Sequence, residues 1–380
     1  MKATILLFLV LAVVQLSTAA EQLKFVFVTV RGADYEVCDI PGGPKITNKD
    51  GKDSKLTEEG KNTVYQLGVK VSELYKSKLG VSKWDSSKNY WPIATNSRRS
   101  QISTLITGAG LEGDQSKRDK SWTDEELKKT SFPAMLQFWK FIDPAKCPKF
   151  FKEVSQQPEI ATTLQDCASQ MQEVKKHYDT VDPTKPQHVW LTYETLKKMK
   201  KQQPSKVEWA SDDMMKKLRE CSAKLNWLAT TKTDTLRKLS GGLILSDILN
   251  DMKEITQGKA QPHATGGTSN KLSLFTTPQG LLIAKLAVFM PPGATLDGKV
   301  PTSSEVYPES GATMNTEMYE DNGTWKVKLI YYEGKDYPGK TIKLPGCEEK
   351  CPFQQFQQIL TKYAVNEQEH ETLCKSAQWP

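Results

Sequence analysis

Histidine is scarce in this chain. Only His177, His188, His263 and His370 occur in 380 residues, and none shares a metal-ligand spacing with cysteine or with another histidine. No metal centre and no cofactor is expected. The sequence has no Gly-x-Ser-x-Gly elbow, no His-Glu-x-x-His helix and no phosphate-cradling P-loop, so those hydrolase, metalloprotease and nucleotidase chemistries are excluded. Past residue 20, no stretch stays apolar for the roughly 18 residues that a membrane helix requires. Repeats and low-complexity tracts are absent as well.

What is present begins with a leader. Lys2, the apolar run Ile5 to Leu16 and the small-residue exit Ser17-Thr18-Ala19-Ala20 read as a secretory signal peptide over 1–20. The expectation is a secreted protein with no membrane span, its mature part (21–380) forming one domain. Seven cysteines in such a chain should mostly pair. Cys347 and Cys351 close a short loop within Leu-Pro-Gly-Cys-x3-Cys-Pro. Cys147, Cys167, Cys221 and Cys374 would supply two more bridges, which leaves Cys38 over as a buried free thiol or an intermolecular partner.

Formal charge is +7. The basic residues are scattered among acidic neighbours, and the run Lys197-Lys198-Met199-Lys200-Lys201 reads as a solvated helix face rather than a nucleic-acid or heparin site. No nucleic acid is expected as a partner. A mild bias toward anionic ligands remains.

Strand and helix patterns alternate. Leu23 to Val30 is an apolar strand; Leu56, Val64, Leu67, Val71 and Leu74 recur at helical spacing; Tyr90 to Ala94 is a second strand, and a helix starts near Arg99. This predicts an α/β fold with a mostly parallel sheet covered on both faces. The sheet core should span about 21–123 and 240–380. From 124 to 239 the chain is helical, amphipathic and broken by prolines, which reads as an inserted lid subdomain. Lys271 to Thr277 is a further core strand, followed by a helix from Gln279 to Met290. Asn322-Gly323, flanked by Met314 to Asp321 and Thr324 to Glu333, is a strong hairpin signal. Asn322-Gly323-Thr324 is also the one N-glycosylation sequon.

Five segments carry a resemblance: the strand LKFVFVTVR, Leu56-Thr57-Glu58-Glu59-Gly60, Leu218-Arg219-Glu220, the run Gly241 to Leu249, and Leu344-Pro345-Gly346-Cys347 through Cys351-Pro352. In that order they resemble the histidine acid phosphatases, over nearly the whole mature chain. The resemblance implies an α/β core with helices on both faces and a helical lid above the strand ends. The expected pairing of the four open cysteines is then Cys147–Cys374 and Cys167–Cys221.

In that family the first strand ends in Arg-His-Gly-x-Arg-x-Pro, and the histidine takes the phosphoryl group. Here Arg31 is kept, but Gly32 stands at the nucleophile, Tyr35 at the second arginine and Val37 at the proline. Ile93 is expected to replace a phosphate-binding arginine, while Arg99 is kept. The His-Asp proton donor that should follow the Lys271–Thr277 strand reads Pro278-Gln279. Phosphomonoester hydrolysis needs nucleophile, donor and arginine clamps together, so no catalytic residues are expected. Three histidines sit in helical surroundings as surface residues; only His263, in a Gly-rich loop, could approach the pocket. Arg31-Gly32-Ala33-Asp34 is not an integrin-binding tripeptide, because Ala33 interrupts it.

The replacements suggest a cup that is smaller, more apolar and less cationic, in which Arg31, Gly32, Asp34, Tyr35, Glu36, Ile93, Pro278, Gln279 and the acidic Glu317 face a ligand. Phe132, Phe138 and Trp139, at the start of the lid, are candidate walls whose plainer role is core packing. Aromatic walls with carboxylates suit a small organic cation. The chain is also similar to secreted acid-phosphatase-like salivary proteins of blood-feeding insects, notably fleas. That resemblance implies scavenging of host mediators, namely serotonin and other biogenic amines, and in some cases cysteinyl leukotrienes, by a monomer or weak dimer. The alternative is an antihaemostatic protein that binds a platelet or clotting protein through its basic surface.

Overall fold

Ten residues at the amino end of the sheet, Gln22–Arg31 (β1), are buried almost throughout. The computed structural model describes residues 21–35, 55–95, 97–129, 141, 143–259, 271–336 and 338–376. The leader (1–20) and Glu36, Cys38, Phe132, Phe138, Trp139 and His263 lie outside the described residues.

The next two strands are Tyr90–Ala94 (β2) and Leu272–Thr277 (β3). Strand β3 lies between β2 and β1 and runs parallel to both, in a register that sets Arg31 beside Thr277 and Ala94 beside Thr276. Three carboxyl ends therefore finish at one level. The parallel arrangement expected from the strand–helix alternation holds in this part of the sheet. Beyond β1 the sheet continues antiparallel through Thr313–Asp321 (β5), Thr324–Tyr332 (β6) and Lys340–Lys343 (β7) to Thr295–Leu296 (β4), and Cys351–Pro352 (β8) pairs with β6. Strands β5 and β6 are joined by Asn322 and Gly323, at φ 49° and 81°, a two-residue turn that permits only an antiparallel neighbour.

Alternation along β1 buries both faces of the sheet. Val26, Val28 and Val30 share a cluster with Leu67 and Val71 of helix Glu58–Tyr75 (α1). Phe25 and Phe27 belong to the core on the other face. A second helix on the α1 side, Arg98–Glu112 (α2), starts at the strand ends. The helical segment contains Pro186–Gln202 (α3) and Asp212–Thr231 (α4), and Asp234–Thr256 (α5) follows at once. Helix Gln279–Phe289 (α6) leaves β3 directly. Residues of α3, α4, α5 and α6 share one continuous core with Phe25 and Phe27, so the helical insert is packed onto the sheet rather than set apart from it.

The three expected disulfides form: Cys147–Cys374, Cys167–Cys221 and Cys347–Cys351. The first ties the start of helix Pro148–Ser155 to the final helix Glu367–Lys375, and the second, within the helical insert, ties the end of helix Pro158–Asp166 to α4.

Candidate functional site

A cavity of about 250 Å³ opens at the carboxyl ends of β1 and β3, where open α/β sheets commonly bind ligands. Its floor is built by backbone. Gly32 N–H donates to Thr277 O at 2.9 Å, and Ala33 N–H donates to Ser103 Oγ at 3.1 Å. Ser100 Oγ donates to Thr276 O at 2.6 Å, fixing the start of α2 against β3. A Cβ placed on Gly32 would meet Thr276 Cγ2 at 3.3 Å and Ser103 Oγ at 3.5 Å, so the position is snug but not closed.

The Leu-Thr-Glu-Glu-Gly segment aims the next residues. Tyr35 forms a β-bridge with Leu56. Thr57 caps α1 through Gly60 N–H, and its own N–H donates to Asp34 O at 3.1 Å. Gly60 comes so close that a Cβ there would lie 2.2 Å from Asp34 O. Only glycine lets α1 hold the Asp34–Tyr35 backbone at the rim.

Arg31 is buried beneath the cavity and fully engaged. Nη1 donates to Pro308 O at 2.5 Å and Nη2 to Glu194 Oε2 at 2.9 Å. The second oxygen of Glu194 accepts from Tyr307 Oη at 2.8 Å and from Gln279 Nε2 at 3.2 Å. Gln279 also reaches Pro308 O at 2.9 Å. Burial by itself would raise the Glu194 carboxyl, but Arg31, with Lys197 and Lys198 adding, brings it down to about 2. Glu194 is thus an anion that neutralises Arg31.

The rim remains cationic. The Tyr35 ring lies between Arg99, 3.8 Å from its centroid, and Lys198, 3.2 Å away on α3. Two helix N-termini, those of α2 and α6, also begin at the cavity, and neither has an acidic residue in its first turn; both favour negative charge. Trp190 and Leu191 of α3 supply the apolar wall, and Asp34 the carboxylate next to Tyr35. Among the described residues no histidine lines the cavity. His177 stacks on Trp209 and His188 accepts from Asp182 N–H, while His370, expected at the surface, is instead buried against Leu239 O.

The cavity brings together Arg31, Gly32, Asp34, Tyr35, Pro278 and Gln279. It corrects two expectations. Ile93 does not face it: that side chain is buried in the core on the sheet face covered by α5, and the retained Arg99 lies at the cavity instead. Glu317 is not there either. It pairs with Val26, five residues back from Arg31 along β1 and so on the order of 17 Å below the strand end. It accepts instead from Tyr75 and Tyr319 at 2.8 and 2.7 Å. The cup keeps positive charge at its rim, from Arg99 and from Lys198. Trp190, Glu194 and Lys198 were missed in the sequence. Their four-residue spacing puts them on one helix face, and that was the available signal.

Residues 23–332 match the model of the Histidine phosphatase superfamily (branch 2). The "Acid phosphatase-like protein XcAP-1" of Xenopsylla cheopis is 59% identical over 374 residues, 98% of this chain and all of that protein. XcAP-2 of the same species is 51% identical, covering 98% of this chain and 99% of that one. Human prostatic acid phosphatase is 28% identical over 158 residues, 40% of this chain and 35% of that protein. In fold, the Hafnia alvei phytase in complex with myo-inositol hexakis sulphate matches with a TM-score of 0.64 at 14% identity, over 93% of this chain and all of that one. The Citrobacter braakii phytase matches with a TM-score of 0.62 at 14% identity, over 94% of this chain and all of that one.

Proposed function

The chain belongs to the histidine phosphatase superfamily, branch 2, and we propose that it uses the family's strand-end cavity to bind small host mediators without hydrolysing them. The supporting observation is Gly32 at the end of β1, where it leaves space and no nucleophile, above an arginine already neutralised by Glu194. Loss of a nucleophile or a general acid costs several orders of magnitude in rate. A carboxamide at Gln279 cannot donate a proton to a leaving alkoxide. With both functions gone, binding is what the cavity retains.

The lining suits an amphipathic zwitterion. An acidic group would sit at Arg99, Lys198 and the start of α2, an ammonium at Asp34, and an apolar body along Trp190 and Leu191, the latter 40% exposed. A cysteinyl leukotriene carries all three features. The hydrocarbon tail would run out of the cavity over Leu191. Serotonin is the second reading, favoured by Asp34 beside the Tyr35 ring, which offer an ammonium contact and a stacking face. Secretion, presence in flea saliva and antihaemostatic action are part of the same proposal; their support is the close likeness to the Xenopsylla proteins.

Sequestration needs micromolar affinity or better, about 8 kcal/mol. Calorimetry with a cysteinyl leukotriene, serotonin, noradrenaline and histamine tests the proposal. Absence of heat from all four would sink it, and clear hydrolysis of an aryl phosphate by pure protein would revive the enzyme.

A further inference from the structure

On the sheet face opposite α1, helix α5 crosses β1, β3 and β2 without filling the space beneath it. An apolar cleft of about 30 Å³ remains, lined by Phe27, Ile93, Phe275, Ile244 and Ile248. Beside it lies a wider surface crevice of about 480 Å³, lined from the end of α5 by Glu254 and, just past it, Lys259. Two residues line both spaces, Asp247 and Asp251. Spaced by four, they share one face of α5 and stand where the crevice meets the cleft.

Asp251 is the unusual member. It is 8% exposed, and among the described residues its carboxylate has no hydrogen bond and no ion pair. Its carboxylate oxygens are not sealed in the core, so they reach the crevice and stay open to a ligand. Burial, with the negative charges of Asp247 and Glu254 adding, pushes the Asp251 carboxyl up to about 7. The groups that face it are those two carboxylates on α5, with Lys253 and Lys259 at the outer rim of the crevice. The strands contribute Phe27, Thr29, Ile93, Ser273 and Phe275, none of which titrates.

We propose that this crevice is a second binding site, separate from the strand-end cavity, for a small primary ammonium with a slim apolar substituent. The ammonium would rest on Asp251 and Asp247, and the substituent would enter the cleft between Phe27, Ile93 and Phe275. An organic cation fits better than an inorganic one. Among the described residues no three acidic, histidine or cysteine side chains converge to hold a metal ion, and the cleft walls are apolar. The site does not depend on what the strand-end cavity binds.

The test uses n-butylammonium as the probe and n-butanol as its uncharged counterpart, followed by ligand-observed NMR or calorimetry on the full chain. We expect n-butylammonium to bind and n-butanol to bind at least tenfold more weakly. Asp251→Asn, which keeps the shape, should weaken n-butylammonium binding about tenfold or more. Affinity should rise several-fold from pH 6 to pH 8 as the carboxyl ionises, the alkylammonium staying charged throughout. If Asp251→Asn fails to fold, Asp247→Asn and the pH series on the unaltered chain decide. No binding at pH 8, equal binding of the alcohol, or affinity unchanged by both substitution and pH would overturn the proposal.

Discussion

The Arg31 guanidinium and the Glu194 carboxylate lie 2.9 Å apart beneath the cavity, joining the end of β1 to the middle of α3. The pair withdraws from ligands the one arginine that the strand end keeps. It also ties α3 to the sheet, which holds Trp190 and Lys198 over the cavity.

Removing one partner should therefore cost more than removing a surface ion pair. Glu194→Gln leaves Arg31 buried without its direct ion-pair partner, and we expect a loss of about 3–5 kcal/mol in chemical denaturation. The pH dependence follows from the same pair. The Glu194 carboxyl sits at about 2 against its ordinary 4.5. A depressed acid stabilises the fold above the unfolded value and loses that contribution as pH falls through the folded one. The contribution, on the order of 3 kcal/mol, should disappear between pH 4.5 and 2 in the unaltered chain and be absent from Glu194→Gln.

Tyr35 is held between two cations, so the three side chains act together. Arg99→Ala and Lys198→Ala should each weaken leukotriene binding by about 1–3 kcal/mol, and serotonin binding far less. Asp34→Ala should do the reverse. Tyr35→Ala should weaken both by about 1–2 kcal/mol. Titration calorimetry of the four variants against the two ligands checks the assignment; affinities unchanged throughout would place the ligand elsewhere.

Restoring the histidine should not restore the enzyme. The space around a Gly32 Cβ admits a side chain after small adjustments, so Gly32→His should fold. It would still lack a proton donor, because Pro278 and Gln279 stand where one is needed. Hydrolysis of an aryl phosphate should stay at background; turnover well above it would mean that another group supplies the proton.

Gly60→Ala tests the placement of the rim. The new Cβ would overlap Asp34 O, so α1 or the Asp34–Tyr35 segment must move. We expect about 1–3 kcal/mol of destabilisation together with weaker binding of both ligands. Full affinity in a destabilised variant would show that Asp34 and Tyr35 do not form the site.

The backbone of this molecule was legible in the sequence, and the cavity only half so. Strands and hairpin announced themselves through short apolar runs and Asn322-Gly323. The glycines at 32 and 60 had their meaning in tight approach to β3 and to Asp34. Ile93 and Glu317 were misplaced because strand position alone does not say which face, or which level along the strand, a side chain occupies. Glu194 and Lys198 went unseen because they come from α3, some 160 residues from β1 in sequence, inside a lysine-rich stretch that reads as a solvated face. Only tertiary packing turns that face toward the strand ends.

The most direct test of non-hydrolytic binding at the strand-end cavity is a calorimetric titration of a cysteinyl leukotriene into the unaltered chain and into Arg99→Ala. The account requires one site per chain of micromolar or tighter affinity, weakened roughly tenfold or more by the substitution. Identical isotherms for the two proteins, or no heat from the unaltered chain, would contradict it.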